Sequence, residues 1–377
     1  MPKPLLRRFT KSLLVIINLV IAFLFISGNL TTYFDPEKFW FLGVLALCMP
    51  YFLGLLIFFA MIWLLARSFW IFLALMPIVF FINDVRNIIP FRLNSQFNNV
   101  KKTGNLRVMS WNVAQFNLLH RKDQPTVKQQ MIDLINSYNP DIACFQEMVS
   151  GDDESAINNT AAIKAALKFR YHFYSYDRRI DFDKDHHFGV IIFSKYPFIT
   201  QQTVSYYPYD YNSTFQYADI KINTDNFRIF NIHLQSLRLN KNIRNYLDEP
   251  QLSLDTNLSQ SRSILSKLKY GFLHRSHQAK VVKKELTKSP YINIVCGDFN
   301  DVPNSYAYKT IGENLDNAFV KKGAGISRTF YDISPTLRID NIFTDKRIEV
   351  MQFTRIKHKL SDHFPIIADL KMRDQEP

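Results

Sequence analysis

The chain has 377 residues, enough for one large domain or two ordinary ones. Its 46 Lys and Arg against 33 Asp and Glu leave a net charge of +13. That balance favours anionic partners such as nucleic acid, phosphorylated lipid or an acidic membrane face, without choosing among them. The three cysteines, Cys48, Cys144 and Cys296, exclude a disulfide framework and have no zinc-ligand spacing.

The hydrophobic content of 47% is concentrated at the front. Leu13 to Ile26 is apolar apart from Asn18, Phe39 to Ala66 carries no charge, and Phe69 to Ile82 is again uncharged. A bilayer core needs about 20 apolar helical residues. These runs predict a membrane anchor over residues 1–90 with two or three transmembrane helices, at about 12–33, 39–66 and 69–83. The third run is short and contains Pro77, which leaves open a tilted span, a re-entrant piece or an interfacial segment. The basic start (Lys3, Arg7, Arg8, Lys11) fits a signal peptide as well as an anchor. Ile26-Ser27-Gly28 is a poor cleavage site, however, and a second long span follows at once, so retained helices are expected. The Lys/Arg bias keeps the N-terminus cytoplasmic, places residues 29–38 outside and Arg67 inside. Three spans then put everything after Asn83 outside, and two would leave it inside. The expectation is an integral protein of a bacterial-type inner membrane with an extracytoplasmic soluble domain.

Residues 91–105 read as a linker, and the soluble domain is expected over 106–373. LRVMSWNV from Leu106 is a strand, Val127 to Ser137 has helical spacing, and DIACFQEM from Asp141 is the next strand. Ser155 to Leu167 reads as helix and YHFYSY from Tyr171 as extended chain. GVIIFSKYPF, YADIKI and FRIFNIHL are three further strands, with turn residues Asn223 to Asn226 between the last two. A polar insertion from Ser236 to about Lys269 reads as a loop. It is net basic through Arg238, Lys241, Arg244, Arg262, Lys267 and Lys269, with Arg275 just beyond. A helix from His277 to Thr287 leads into the strand INIVCGDF, and VMQFTRI and FPIIADL close the domain. This succession predicts an α+β fold or a layered α/β sandwich.

The string NIVCGDFNDVPNS, Asn293 to Ser305, reads as a buried strand ending in a Gly turn. It presents Asp298 and Asn300, two apart and therefore aimed the same way. Three other strand-like runs end in similar groups: Asn112 in SWNV, Glu147 in FQEM, and Asp362 with His363 in LSDHF. Singly each has an ordinary reading. Asn112 and Asp340 suit turns, His233 in NIHL suits a satisfied core histidine, and Glu147 suits a solvated carboxylate. Together they meet another need. Glu147 and Asp362 are hard oxygen donors suited to Mg²⁺ or Mn²⁺. Asp298 and Asn300 can position a water for in-line attack on phosphorus. His233 and His363 can donate to phosphoryl oxygens, and Asp340 can fix one imidazole's tautomer. Phosphoryl transfer asks for that inventory of positioning and charge neutralisation.

The ordered set SWN, QE, GVIIFSKYPF, NIHL, GDFND, RIDNIF and SDHFP, from about Leu106 to Leu370, resembles the endonuclease/exonuclease/phosphatase superfamily, the deoxyribonuclease-I-like fold. The resemblance implies a four-layered α/β sandwich, two packed sheets flanked by helices, with its active site at one end of the sheets. Carried over by motif, Asn112, Glu147 and Asp362 would hold the metal, with Glu147 as principal ligand. His233 would contact the scissile phosphate and could protonate the leaving group, Asp298 would orient or deprotonate the water, Asn300 would hold water and phosphate, and Asp340 would pair with His363, which would act on the phosphate or as the base. The implied activity is Mg²⁺-dependent hydrolysis of a phosphodiester or phosphomonoester. A membrane-tethered nuclease is the first expectation, with Tyr206, Tyr207, Tyr209 and Tyr211 as an aromatic cluster able to stack bases. A phospholipid or inositol-phosphate phosphodiesterase or phosphatase is the alternative, and an inactive tethered binding module the third. No obligate protein partner is evident.

Overall fold

The computed structural model describes residues 3–90, 96–120, 125–151, 157–180, 183, 185–206, 212–237 and 254–373. The front of the chain is helical: α1 (Lys3–Leu30), a 3₁₀ turn at Thr31–Tyr33, α2 (Pro36–Phe39), α3 (Leu42–Leu65), α4 (Ile71–Phe80) and α5 (Ile82–Ile88). Two of these helical stretches, Leu5–Tyr33 and Leu42–Leu65, are long and apolar enough to cross a membrane. The third expected span is instead a broken pair, α4 and α5, bent by 79°. The bend falls where the apolar run gives way to the polar sequence Asn83, Asp84, Arg86, Asn87. Phe25, Met49, Leu56, Trp63 and Ala74 form the buried seam of this bundle. The Phe81 ring meets Phe25 at 6.4 Å, so α4 runs back toward the end of the bundle from which α3 departs.

The rest of the chain builds two six-stranded sheets. The first comprises β1 (Leu106–Asn112), β2 (Ile142–Gly151), β3 (Tyr171–Tyr176), β4 (His186–Ser194), β11 (Ile348–Arg355) and β12 (Ile366–Met372). Its order is β11-β12-β1-β2-β4-β3. The second comprises β5 (Phe198–Ser205), β6 (Thr214–Ile222), β7 (Asp225–His233), β8 (Ile292–Asp298), β9 (Leu315–Asn317) and β10 (Asp340–Asp345). Its order is β5-β6-β7-β8-β10-β9. Strand alternation sorts the side chains. Val108, Cys144, Ile192, Ile229, Ile294 and Ile342 meet between the sheets. Met109, Trp111 and Phe145 face outward onto α6 (Val127–Tyr138) and α7 (Asn159–Leu167). Phe230, Ile232 and Val295 face the other way, onto α8 (Leu254–Lys288) and α9 (Tyr306–Gly312). The result is the expected four-layered α/β sandwich. A short α10 (Ala318–Lys322) wedges Phe319 into the inter-sheet core.

Two expectations are corrected. GVIIFSKYPF is not one strand but parts of two, which belong to different sheets: Ser194 ends β4, and β5 starts at Phe198 beyond Pro197. Proline offers no N–H to a ladder, and the Ser194 hydroxyl closes the turn by accepting from Tyr196 N at 2.9 Å. The insertion is only partly a loop. Residues 238–253 lie outside the described ones, but from Leu254 the chain is helical and runs into the helix expected at His277. Its buried side, Phe272, Ala279, Val282 and Leu286, is interrupted by the buried Arg275, which pairs with Asp301 at 3.1 Å and hides the helical spacing. Residues 96–105 do not hang free either. Arg107 ties them down by donating to Asn98 O and Asn99 O while it pairs with Asp369 at 2.6 Å.

The sandwich sits on one end of the helical bundle. Thr31 Oγ1 donates to Asn304 O at 3.3 Å, and Asn87 Nδ2 to Asn304 Oδ1 at 2.9 Å. Asp35, at the end of α1's connection to α3, accepts from Ser276 and pairs with Lys280. Tyr51 of α3 hydrogen-bonds Ser334 at 3.0 Å.

One buried amide joins the two sheets. Asn231 of β7 donates to Phe145 O at 3.0 Å and Ile191 O at 2.9 Å, and accepts from Gln146 at 2.7 Å. Those partners flank the place where the β2–β4 register shifts, between Phe145 and Met148. Asn231→Leu keeps the branched shape but removes the donors to Phe145 O and Ile191 O and one of the acceptors of the Gln146 amide, at a cost of about 2–4 kcal/mol. Thermal unfolding of the detergent-solubilised protein should show a lower midpoint for this variant, whereas Thr224→Ala in the exposed turn before the same strand should leave it near the wild type.

Candidate active site

The polar strand ends converge because they continue the inward faces of their strands. Asn112 follows Val108 and Ser110 on β1, His233 follows Ile229 and Asn231 on β7, and Asp298 follows Ile294 and Cys296 on β8. Asp340 precedes Ile342 on the same face of β10. The pairing sets His233 and Asp340 on either side of Asp298. Gly297 makes that register possible. It lies within β8 rather than in the expected turn, and a Cβ there would sit 2.0 Å from Ile232 O.

Glu147 arrives differently. It does not end its strand, since β2 continues to Gly151; it sits at the register shift with φ 52. A non-glycine residue in that region pays about 1–2 kcal/mol. The bulge turns the carboxylate toward the neighbouring strand end, where Asn112 Nδ2 donates to Glu147 Oε1 at 3.1 Å and to Asp298 Oδ2 at 3.2 Å. Gln115 adds a longer contact to Glu147 Oε2 at 3.5 Å.

Asp298 is the hub. It accepts from Asn300 N at 2.8 Å, and lies 3.6 Å from His233 Nε2 and 3.7 Å from His363 Nε2. Asn300, with φ 49, also donates its amide to Leu234 O at 2.9 Å. The other nitrogen of His363 meets Asp340 Oδ2 at 2.8 Å, and Thr329 Oγ1 receives Asp340 N at 3.1 Å. Trp111 donates to His363 O at 2.9 Å, and Ser361 to Asn112 O at 2.8 Å, which fixes the loop bearing Asp362 and His363 to β1. Glu147, Asp298, Asn300, Asp362 and His363 line one cavity of about 170 Å³. Among the described residues, Asp298, Asp340 and His363 also form a group of ligand atoms within 4.8 Å of one another.

Burial pushes the Asp298 carboxyl up to about 7, with the neighbouring Asp340 adding to the rise and His363 opposing it. His363 moves up as well: burial alone would discharge the ring, but the Asp340 and Asp298 carboxylates outweigh burial and hold it protonated. One buried imidazolium thus stands between two buried acids.

The profile of the endonuclease/exonuclease/phosphatase family matches residues 109–363, about two-thirds of the chain. The chain belongs to this family. Members are hydrolases acting on phosphate ester bonds, and so is this chain. Residues 11–88 match a separate domain of unknown function. No curated protein matches the chain. Among solved structures it is similar to an endonuclease/exonuclease/phosphatase from Beutenbergia cavernae, at 16% identity and TM-score 0.51, covering 71% of this chain and 72% of that one. It is similar also to humanized D. rerio TDP2, at 17% identity and TM-score 0.50, covering 72% and 100%. The human nocturnin catalytic domain, solved with bound sulfate, aligns at 15% identity and TM-score 0.50, covering 73% and 97%. These likenesses show the fold.

All eight residues expected to form the site stand at this one end of the sandwich. Of the expected aromatic cluster, one member is among the described residues. Tyr206 is buried, stacks on Phe215 at 5.3 Å and donates to His233 O; Tyr207, Tyr209 and Tyr211 lie outside the described residues. Sequence reasoning missed Asn212, whose amide lies 3.1 Å from both ring nitrogens of His233, and Thr329 beneath Asp340. Neither sits in a motif; only the fold brings them in.

The raised Asp298 pKa has a consequence for stability. Between its ordinary value near 3.8 and about 7 the folded protein holds this proton more tightly than the unfolded chain does. Stability therefore falls as pH rises through that window, and the full penalty remains above it. Asp298→Asn should raise the thermal midpoint of chelator-treated protein at about pH 8 and change it little at about pH 4. Equal shifts at both pH values would contradict the burial argument.

Proposed function

We propose that the chain is a Mg²⁺-dependent phosphodiesterase, with Mn²⁺ as a substitute, in which the domain of residues 106–373 works by in-line water attack while residues 1–90 hold it to the membrane. The observation that carries this reading is the contact of Asp298 with an amide pair and two imidazoles at one cavity. The donor set fits a hard divalent cation: Glu147 and Asp362 are oxygen donors on the cavity wall, Asn112 steadies Glu147, and Asp340 Oδ1 is buried without a donor among the described residues. Glu147, Asp362 and Asn112 would hold the ion. When bound, it would neutralise charge on the phosphoryl group.

The remaining residues divide the proton work. His363, whose charged form the Asp340 and Asp298 carboxylates favour against burial, donates to a phosphoryl oxygen as charge builds. Asp340 holds the ring's orientation and favours its charged form. That leaves Asp298 to take the proton of the attacking water, and a pKa near 7 suits a base working at neutral pH. Asn300, held by Leu234 O, positions that water, and His233 protonates the leaving oxygen.

The membrane arrangement follows from charge and docking together. The domain touches the α1–α3 connection at Thr31 and Asp35, and α5 at Asn87, and these belong to one end of the bundle. With the Lys3, Arg7, Arg8, Lys11 end cytoplasmic, the opposite end is external, and the bent α4–α5 pair taken as one broken span makes the return crossing. This supports three crossings and an extracytoplasmic catalytic domain. A reporter that is active only outside the cytoplasm, fused after Asn105, should be active; an inactive reporter would reverse the topology.

Glu147→Ala and Asp298→Ala should each slow hydrolysis of bis(p-nitrophenyl) phosphate by about 100-fold or more, with folding checked by thermal midpoint. EDTA should abolish the wild-type activity and added Mg²⁺ restore it. Wild-type rates in either variant would remove the mechanism.

A further inference from the structure

The cavity that holds the catalytic groups is not enclosed by the sandwich alone. Leu47 of α3 stands in its wall beside Glu147, Asp298 and His363. Leu47 lies in the second turn of a helix that is long and apolar enough to cross a membrane. At about 1.5 Å per residue it is within about 8 Å of the helix's start, the end on which the sandwich docks. Leu268 of α8 lines the same cavity, whose other apolar residues are Leu237, Val302, Phe330, Ile333, Leu337 and Ile339. Phe272, one turn further along α8, packs against Gly43 of α3, so a Cβ at that glycine would fall 2.8 Å from the ring. The apolar surface continues outward at Tyr51, half exposed on α3, and Leu265, 44% exposed on α8.

A site for phosphate chemistry alone has no need of an apolar wall contributed by a membrane span. A polynucleotide entering here would have to lay its charged backbone along that span, where no water pays for stripping the phosphates. A phosphate ester carried on hydrocarbon meets no such conflict, since its chain stays beside α3 while its headgroup enters the cavity. The positive charge of the chain suits the same partner, because anionic headgroups attract basic residues near the membrane surface. Lys269, on α8 between Leu268 and Tyr270, lies over the Trp40 ring at 5.5 Å, near the start of α3.

We propose that the substrate is a membrane amphiphile, a phosphate ester on an apolar chain, taken directly from the bilayer in which the protein is anchored, with Leu47 and Leu268 guiding the chain. This rests on the phosphoesterase reading above and names its substrate class. The step is the same hydrolysis. A water oxygen bonds to phosphorus while one P–O ester bond breaks; the water's proton goes to Asp298, and the departing alkoxide oxygen takes a proton from His233.

The test uses the full chain in nanodiscs with Mg²⁺ and four probes: phosphatidylglycerol, phosphatidic acid, a single-stranded DNA oligonucleotide and bis(p-nitrophenyl) phosphate. At least one lipid should be hydrolysed with kcat/KM at least tenfold above the oligonucleotide. Leu47→Ala with Leu268→Ala should lower the lipid rate about tenfold more than the rate on the soluble diester, with an unchanged thermal midpoint showing that docking survives. Hydrolysis of the soluble diester with neither lipid attacked, or DNA cleaved faster than both lipids, overturns the substrate assignment and leaves the phosphodiesterase reading standing. No hydrolysis of any probe overturns both. Equal losses on lipid and soluble diester in the double variant also overturn the proposal, because the leucines then shape the site and not the chain path.

Discussion

Asn231 is the constraint on which the site depends. Two sheets packed through Ile, Val and Leu can slide on one another, because dispersion contacts have no preferred register. A buried amide whose every hydrogen bond crosses the gap removes that freedom. Asn231 reaches from β7 to two carbonyls of β2 and β4 and to Gln146, where β2 bulges. Sheet register and bulge position are thereby fixed together. The bulge carries Glu147 with its positive φ, and β7 ends two residues after Asn231 in His233. A slip of either sheet would separate the acid on one from the imidazole and Asp298 on the other. The residue with no chemistry of its own determines whether the chemical residues meet.

The site then concentrates unfavourable electrostatics at the place where that register holds. Asp298 and Asp340 are both nearly fully buried, and His363 is the cation between them. Neither acid is satisfied as it would be in water, and the raised Asp298 pKa expresses the cost. Stability is given up locally at these buried acids, and the loss is carried by the three apolar layers behind them. Of these, the outer layer with Trp111 does double service, since its indole N–H holds the His363 backbone.

Much of this was legible in the sequence, and the reason is period. Strand alternation turns a string such as INIVCGD into an inward face ending in Asp298, so one parity argument places Asn112, His233, Asp298 and Asp340 alike. What escaped is what breaks periodicity. The β2 bulge put Glu147 mid-strand, Pro197 divided one apolar run between two sheets, and the buried Arg275 masked the stripe of α8. Asn231 and Asn212 escaped for a further reason: an amide inside a strand or a turn looks ordinary until its partners, distant in sequence, are known.

The long apolar helices were legible as hydrophobicity, but their contact with the sandwich was not, because hydropathy reports that a helix is apolar and not what its faces touch. α3 carries apolar residues all round and has no polar stripe to mark a docked side. The contacts of the helical bundle with the sandwich are of two kinds. Tyr51 and the polar residues around Asn304 and Asp35 make hydrogen bonds that fix orientation, while Leu47 makes none and points into the catalytic cavity. A tether needs only the first kind. It raises the local concentration of anything in the same bilayer whatever direction the site faces. Orientation decides whether that concentration is usable, because an active site turned away from the bilayer would require each lipid to leave it. With α3 in the wall of the cavity, the substrate path proposed above would let the hydrocarbon remain solvated by hydrocarbon while the phosphate reaches Asp298.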